Sequence, residues 1–145
     1  VLVWSRSEER AATRAERVGG EVCLDAEDAA GLADVICTAT PATEPLFTTE
    51  SLQATVHINA IGAYTPQMCE LPPELVHDAF VVVDDLAAAA ADAGDLLQAG
   101  KPPDAEMSDL LAGRVIPPRQ GHTVFKSVGI ASQDVAAAVA ALSSV

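Results

Sequence analysis

Ser5, Arg6 and Ser7 are the first side chains along this sequence whose types suggest chemistry. They follow Val1–Trp4, an apolar stretch with the composition of a short strand. A guanidinium group and two hydroxyl groups donate hydrogen bonds to phosphate oxygens, so the triplet is a candidate phosphate contact. The alternative interpretation is a helix cap beside a solvated arginine.

Two further loops follow apolar runs and could lie at the same edge of a sheet. The first, Ala39-Thr40-Pro41, has small and β-branched residues that suit a backbone lying against a cofactor, although an ordinary strand-to-helix turn would look the same. The second belongs to Val56–Pro66, a β-branched apolar run that breaks at Gly62 and closes at a proline. Parallel sheets bind ligands beyond the carboxyl ends of their strands, so both loops are candidate ligand contacts.

Short apolar runs alternate with helical segments along most of the chain. This alternation predicts an α/β fold in which a doubly wound parallel sheet carries helices on both faces. The predicted strands are Val1–Trp4, Glu21–Leu24, Val35–Thr38, a run that starts at Val56, Phe80–Val83 and Thr123–Lys126. The first predicted helix has a Ser5/Glu8 capping box and Ala11, Ala15 and Val18 on one face. The other predicted helical segments are Asp25–Ala30, Thr48–Leu52, Pro72–Val76, Leu86–Ala99, Met107–Leu111 and Ser132–Leu142.

The composition is that of one acidic globular domain. The chain has 145 residues and a formal net charge of −13, which argues against nucleic acid and anionic membranes as partners. No apolar run approaches the roughly 18 residues of a membrane span, and no signal peptide is expected. The three cysteines form no CxxC pair and the three histidines are scattered, so the sequence predicts no metal site. An odd cysteine count without a secretory signal favours a reduced, cytoplasmic protein.

A dinucleotide-binding fold normally opens with a strand and a GxGxxG turn, and this sequence contains no such motif. In such folds, an acidic side chain at the end of the second strand binds the ribose 2′-hydroxyl. If Val1–Trp4 is that strand, Arg6 follows it in place of an acid, and a guanidinium group suits a 2′-phosphate. We therefore expect the first strand and its phosphate loop to lie upstream of Val1. The chain would then be a fragment of a Rossmann-like domain.

Several segments, taken in order, resemble the ornithine cyclodeaminase/mu-crystallin family. The resemblance spans nearly the whole chain, and Val124–Gly129 is its most specific part. The segments that carry it are Val3–Arg6, Ala33–Thr40, His57–Ala63, Glu70-Leu71, Gly94–Leu96, Thr123–Ala131 and Asp134.

The resemblance implies an NAD(P)-dependent enzyme that acts at an amino or imino carbon of a small amino or imino acid. It assigns Ser5, Arg6 and Ser7 to the adenosine ribose, and their chemistry favours NADP(H) over NAD(H). It also implies that Ala39, Thr40 and Pro41 pack on the cofactor, that Ile61 and Gly62 lie beneath the nicotinamide, that Ser127 touches the nicotinamide end and that Val128 touches substrate.

The sequence departs from the family at Tyr64. Family members that are cyclodeaminases have an aspartate two residues before the loop proline, where this sequence has Tyr64 before Pro66. A tyrosine cannot serve as a carboxylate base, so an imine or ketimine reductase, or an amino-acid dehydrogenase, is favoured over an ornithine cyclodeaminase. Tyr64 could donate a proton or a hydrogen bond to an imine nitrogen, or it could only pack over the loop with its hydroxyl in water. A non-enzymatic binding protein like those of the mu-crystallin branch is a further alternative.

The resemblance also predicts the domain organisation. Residues 1–131 would form a partial NAD(P)-binding Rossmann domain, and residues 132–145 a helix that returns to a substrate and dimerisation domain. That second domain would come mainly from an N-terminal half absent from this chain. We therefore expect the parent protein to be a homodimer and the fragment alone to be inactive.

Two other features are given structural interpretations. Asp84 and Asp85 form a carboxylate pair that is expected to be a solvated strand end, because no further ligands converge on it in the sequence. Lys126 is expected to point outward from a strand, without a role.

Overall fold

The computed structural model describes residues 1–143, which fold into short strands alternating with helices. The strands are β1 (Leu2–Val3), β2 (Glu21–Val22), β3 (Val35–Thr38), β4 (His57–Ala60), β5 (Phe80–Val83), β6 (Ala105–Glu106) and β7 (Thr123–Lys126). The helices are α1 (Glu8–Val18), α2 (Ala26–Gly31), α3 (Pro73–Asp78), α4 (Leu86–Asp92), α5 (Gly94–Ala99), α6 (Met107–Leu111) and α7 (Ala131–Leu142), with a 3₁₀ turn at Thr49–Ser51.

The strand pairs given by these residues are parallel, which confirms the predicted α/β fold. β3, β4, β7, β5 and β6 form a five-stranded sheet in that order, and β1 pairs with β2 in a separate two-stranded sheet. In the ladder, Thr38 is level with Ala60, and Ala60 with Lys126, which is also level with Val83. The last residues of four neighbouring strands therefore meet at one edge, and the loops that follow them leave from the same place.

An open slot lies between the two sheets. It has a volume of about 530 Å³ and is lined by Leu2 on one side and Val35 and Ile36 on the other. β3 has β4 as its only neighbour in the described sheet, and Val35 is 59% exposed.

The main core covers one face of the five-stranded sheet. Its main aliphatic side chains come from the central strands, from α3 and α5, and from the loops just before β4 and α3: Val56, Ile58, Leu71, Leu75, Val76, Val81, Val83, Leu96 and Val124. The residues Val81–Val83 are buried in succession, as expected for a strand of a parallel sheet that is covered on both faces.

Helix α1 begins later than the predicted capping box implies. Ser7, not Ser5, is the N-cap, and its side chain accepts a hydrogen bond from the backbone N–H of Arg10. Ser5 Oγ instead accepts from the N–H of Ser7 at 3.3 Å, two residues too early to cap the helix. On the predicted apolar face, Ala11 and Ala15 are buried. Val18, at the last turn, is 55% exposed.

The region after β5 also differs from the predictions. The predicted helix Leu86–Ala99 is divided into α4 and α5 at Ala93, because α5 turns to pack against α3. Strand β6 was not predicted, since its two residues include a glutamate and form no apolar run. α7 has no buried residue, and the last two residues of the predicted segment 132–145 lie outside the described part of the chain. None of the helices in residues 1–143 is long and apolar enough to cross a membrane.

Candidate functional site

The loops after β1 and β3 face each other across a cleft with a volume of about 690 Å³. Residues Ser5–Ser7 line one side and Ala39–Pro41 line the other. Two predicted contact loops that are distant in the sequence are therefore brought together. Arg6 is exposed, so its guanidinium group is available to a ligand in the cleft.

Arg10 is a second cationic side chain of this cleft, and the sequence analysis did not identify it. It lies in the first turn of α1 and is exposed. A signal was available, because the first turn of a helix lies next to the loop that precedes it, and here that loop contains Arg6. In a protein with a net charge of −13, two arginines on one cleft favour an anionic ligand at that place. Glu44 also lines the cleft and offsets part of this charge.

Ser7 has a structural role that is compatible with ligand binding. Its Oγ accepts the backbone N–H of Arg10 at 3.4 Å, so the helix-cap interpretation of this serine is correct. A serine hydroxyl that accepts a hydrogen bond still has its own proton to donate. The cap therefore orients Ser7 and leaves it able to donate to a phosphate oxygen.

A buried carboxylate joins the loop after β3 to the loop after β4. Glu70 is fully buried, and one of its oxygens accepts from the backbone N–H of Thr40 at 2.5 Å and from the Thr40 hydroxyl at 2.8 Å. The other oxygen accepts from the Thr38 hydroxyl and from the backbone N–H of Gly62, both at 2.8 Å. Four donors compensate the desolvation of this carboxylate. Glu70 thereby fixes the backbone of two predicted cofactor loops.

Gly62 is the position where this arrangement requires the absence of a side chain. A Cβ atom on Gly62 would collide with the Glu70 carboxylate and with the carbonyl of Thr40. The glycine that breaks the apolar run in the sequence is thus needed for close approach of the backbone to Glu70.

Glu70 is in turn held by Asp95, which lies in the first turn of α5. Asp95 Oδ1 accepts the backbone N–H groups of Glu70 at 2.7 Å and Leu71 at 3.0 Å. Its Oδ2 lies 3.1 Å from Lys126 Nζ, and both side chains are 0% exposed. The angles are not those of a hydrogen bond, and neither atom has another partner among the described residues, so we treat the contact as a buried ion pair.

The prediction that Lys126 points outward is therefore wrong. Lys126 alternates with Phe125 and shares its face of β7 with Val124, which is part of the main core. The alternation was read correctly, but the sequence did not show that the lysine side is the covered one.

Asp84 and Asp85 are both engaged at the end of β5, so the expectation of a solvated carboxylate pair is also wrong. Asp84 Oδ2 accepts from the Ser127 hydroxyl at 2.6 Å and from the backbone N–H of Gly129 at 2.9 Å. Asp85 caps α4 by accepting the backbone N–H of Ala88 at 2.7 Å. Each carboxylate thus positions a neighbouring segment of backbone.

The remaining predicted contacts lie at the ends of β4 and β7. Ile61 and Tyr64 are 51% and 56% exposed in the loop after β4. The backbone N–H of Ser127 donates to the carbonyl of Ala60 at 3.1 Å, which places Ser127 next to Ile61. Val128 is partly buried and packs against the main core. Ile61, Gly62 and Ser127 are therefore neighbours, on the opposite side of β3 from the arginine cleft.

Cys69 lies beside this buried network. Burial, followed by the nearby charge of Asp95, raises the pKa of the Cys69 thiol to about 11, so it is protonated at neutral pH. Its Sγ donates to the carbonyl of Leu71 at 3.3 Å. This thiol is therefore a structural hydrogen-bond donor.

In residues 1–143, no three His, Cys, Asp or Glu side chains are grouped as metal ligands would be.

Comparison with known proteins identifies relatives of the whole described chain. Residues 1–143 match the Ornithine cyclodeaminase/mu-crystallin family. The sequence is 39% identical over 140 residues to the ketimine reductase mu-crystallin of Mus musculus, covering 95% of this chain and 45% of that protein. It is 36% identical over 151 residues to a Delta(1)-pyrroline-2-carboxylate reductase of Bacillus cereus, covering 93% of this chain and 46% of that protein.

The fold is also similar to a solved archaeal structure. An alanine dehydrogenase dimer with bound NAD superposes with a TM-score of 0.83 at 31% sequence identity, covering 95% of this chain and 47% of the other. The chain thus spans a little less than half of the length of each of these proteins.

Proposed function

The chain belongs to the ornithine cyclodeaminase/mu-crystallin family, and on that premise we propose that it is the cofactor-binding part of an NAD(P)-dependent oxidoreductase acting on a carbon–nitrogen bond. The observation that carries the proposal is the sheet edge at which the arginine cleft and the Ile61–Gly62 loop both lie. The relatives support it, since they include two imine reductases and an alanine dehydrogenase whose structure contains NAD.

The donor set of this edge fits a dinucleotide. Arg6, Arg10 and the hydroxyls of Ser5 and Ser7 would bind a phosphate group on the adenosine ribose. This part of the site supports NADP(H) over NAD(H), because a ribose with a free 2′-hydroxyl is ordinarily bound by an acidic side chain.

The other half of the edge would orient the reacting ring. The backbone of the loop Ala39–Pro41 would lie against the cofactor, and Glu70 would hold that loop and Gly62 in place. Ile61 offers an exposed apolar side chain beneath the ring, and Ser127 a hydroxyl beside it. When bound, the nicotinamide would supply a hydride to the carbon of a C=N bond or, in the reverse direction, accept one from the corresponding carbon of the amine. The protein contributes orientation and the exclusion of water.

Tyr64 supports reduction of an imine over cyclodeamination. Its side chain is exposed on the loop after β4, so its hydroxyl is accessible to a ligand. In the proposed reaction, Tyr64 donates a proton or a hydrogen bond to the imine nitrogen. A phenol is not a carboxylate base, which makes an ornithine cyclodeaminase the less supported alternative. Val128 is proposed to contact the substrate from the end of β7.

The proposal extends to substrate, assembly and location. The substrate class is a small imino or amino acid, and the protein acts as a homodimer, consistent with the dimeric alanine dehydrogenase that it resembles. Residues 1–131 would form the nucleotide-binding domain. The described cysteines, Cys23, Cys37 and Cys69, are free thiols, as suits a cytoplasmic protein.

The proposal is tested on protein expressed from the complete coding sequence. NADPH and NADH oxidation are followed with a panel of cyclic imino acids that includes pyrroline and piperideine carboxylates. We expect turnover of at least one of them, with a lower KM for NADPH than for NADH. Dinucleotide binding without turnover of any substrate would instead favour the non-enzymatic alternative, and absence of binding would contradict both.

A further inference from the structure

Ser127 and Asp84 make the shortest hydrogen bond between two side chains at the carboxyl edge of the described sheet. The hydroxyl of Ser127 donates to Asp84 Oδ2 at 2.6 Å, between the ends of the neighbouring strands β7 and β5. The same oxygen accepts the backbone N–H of Gly129 at 2.9 Å, and this N–H also lies 3.3 Å from Ser127 Oγ. Gly129 has a φ of +82°, a conformation that residues other than glycine rarely adopt.

This arrangement decides how Ser127 can bind a ligand. A serine hydroxyl has one proton to donate and two lone pairs that accept, and an ionised carboxylate can only accept. The proton of Ser127 is therefore used by Asp84. The long contact from Gly129 uses at most one lone pair, so the hydrogen bond that Ser127 can still make is one that it accepts.

Ser127 lies beside the part of the site that suits an aromatic ring. Its backbone N–H donates to the carbonyl of Ala60, which places it next to Ile61, whose side chain is 51% exposed at the same edge. On the proposed function, the nicotinamide ring would pack on this apolar side chain. The carboxamide is the one group on that ring with N–H donors.

We propose that Asp84 is a positioning residue that makes Ser127 a hydrogen-bond acceptor for the N–H₂ of the nicotinamide carboxamide. Asp84 touches Ser127 and not the cofactor, and it acts by fixing the direction of the Ser127 hydroxyl. This inference rests on the proposed function, because it needs a nicotinamide at the sheet edge. The inference adds a basis for specificity, because the site would recognise the carboxamide substituent of the ring by its N–H protons.

The test compares two oxidised dinucleotides that differ at this substituent. NADP⁺ carries the carboxamide, and its 3-acetylpyridine analogue carries a methyl ketone, which has no N–H. Dissociation constants are measured by calorimetry on protein expressed from the complete coding sequence, without substrate. We expect the unmodified protein to bind NADP⁺ about fivefold more tightly than the analogue, the effect of one neutral hydrogen bond.

Three variants assign this preference to the pair. In Asp84→Asn, the amide can donate to Ser127 Oγ and release its proton, so the ratio of the two dissociation constants should fall to about one. In Ser127→Ala, which removes the acceptor and needs no change of the fold, the ratio should fall equally. Asp85→Asn is the matched control: it removes the adjacent charge but keeps the cap of α4, since Asn caps as well as Asp. Its ratio should equal that of the unmodified protein.

The outcomes separate this inference from the function on which it rests. Binding of neither dinucleotide to the unmodified protein would overturn the proposed function. Equal binding of both dinucleotides to the unmodified protein would overturn the role of Ser127 while leaving the proposed function intact. A preserved fivefold ratio in Asp84→Asn, with loss of the ratio in Ser127→Ala, would overturn the role of Asp84. If Asp84→Asn does not fold, a preserved ratio in Ser127→Ala still contradicts the proposal.

Discussion

The carboxylate of Glu70 accepts the backbone N–H of Gly62 at 2.8 Å, and neither residue tolerates a substitute easily. Gly62 has no room for a Cβ because Glu70 lies against it, and Glu70 is fully buried with four donors around its two oxygens. Two loops that would hold the cofactor are thus joined through one anion. Loop position and core stability are consequently coupled in this protein.

Replacing Glu70 by glutamine should both destabilise the fold and loosen the cofactor loops. The amide puts two protons where an oxygen now accepts, so at least one donor loses its partner. We expect a loss of about 1–3 kcal/mol in the free energy of unfolding, measured by urea denaturation. Glu74→Gln is the matched control, since this carboxylate is exposed and its contact with Thr49 is 3.3 Å long. An unchanged unfolding curve for Glu70→Gln would contradict the described network.

Removing either cleft arginine should weaken NADPH binding selectively. Arg6→Ala and Arg10→Ala are each expected to raise the Kd of NADPH on the order of tenfold, as for one charge-assisted hydrogen bond, and to change that of NADH little. The measurement is a calorimetric titration with both cofactors. Arg17→Ala, at the other end of α1, is the control and should affect neither. Equal losses for NADPH and NADH would show that the arginines do not select a 2′-phosphate.

Replacing Lys126 by methionine should leave the buried Asp95 charge without its partner. Loss of one member of a buried ion pair costs about 3–5 kcal/mol, and we expect this range in urea or thermal unfolding. Arg114→Met removes one member of the Arg114–Asp109 pair, which is 2.8 Å long and lies at the surface, with the two side chains 59% and 30% exposed. That change should cost less than about 1 kcal/mol. Similar effects of the two substitutions would contradict the burial of Lys126.

Tyr64→Phe isolates the hydroxyl of Tyr64 because the ring and its packing are kept. If the hydroxyl assists protonation of the imine nitrogen, kcat should fall by about a hundredfold with little change in the KM for NADPH. Steady-state kinetics on the substrate identified in the imino-acid panel provide the measurement. An unchanged kcat would leave Tyr64 as a packing residue with its hydroxyl in water.

The thiol of Cys69 should be unreactive in the native protein and should make stability pH-dependent at alkaline pH. Its folded pKa of about 11 lies above the ordinary value of 9.0, because burial disfavours the thiolate. Below about pH 9 the thiol is protonated in both the folded and the unfolded protein, and its contribution to stability is fully present. As the pH rises from about 9 towards about 11, the thiol ionises in the unfolded protein but not in the folded one, so the free energy of unfolding falls.

Unfolding curves measured across this pH range provide the check. Cys69→Ala should flatten the loss of stability at high pH, whereas Cys37→Ala, which removes an exposed thiol, should not. A thiol reagent should label Cys37 in the native state and Cys69 only after unfolding. Rapid native labelling of Cys69 would contradict its burial.

Local sequence patterns were sufficient for elements whose structure is determined by their own residues. The bounds of β3, β5, β7 and α6 are those predicted, because each is a short apolar or capped run between clear breaks. β6 could not be predicted, since pairing with β5 and not its own composition makes Ala105–Glu106 a strand. The N-cap at Ser7 was also missed, because Ser5 is followed by a glutamate three residues later, as in a capping box, and Ser7 is not.

The sequence by itself determined the parallel α/β fold, the family resemblance and the residue types at the ends of the strands. Those follow from periodicity and from motifs that are contiguous along the chain. Only the tertiary structure decided that Arg10 shares the cleft with Arg6, that Glu70 joins two loops, that Lys126 is buried against Asp95 and that Asp84 holds Ser127. Each of these depends on which strands are neighbours and on which face of the sheet is covered. The strand order β3-β4-β7-β5-β6 results from contacts between segments that are distant in the sequence, so no single segment determines it.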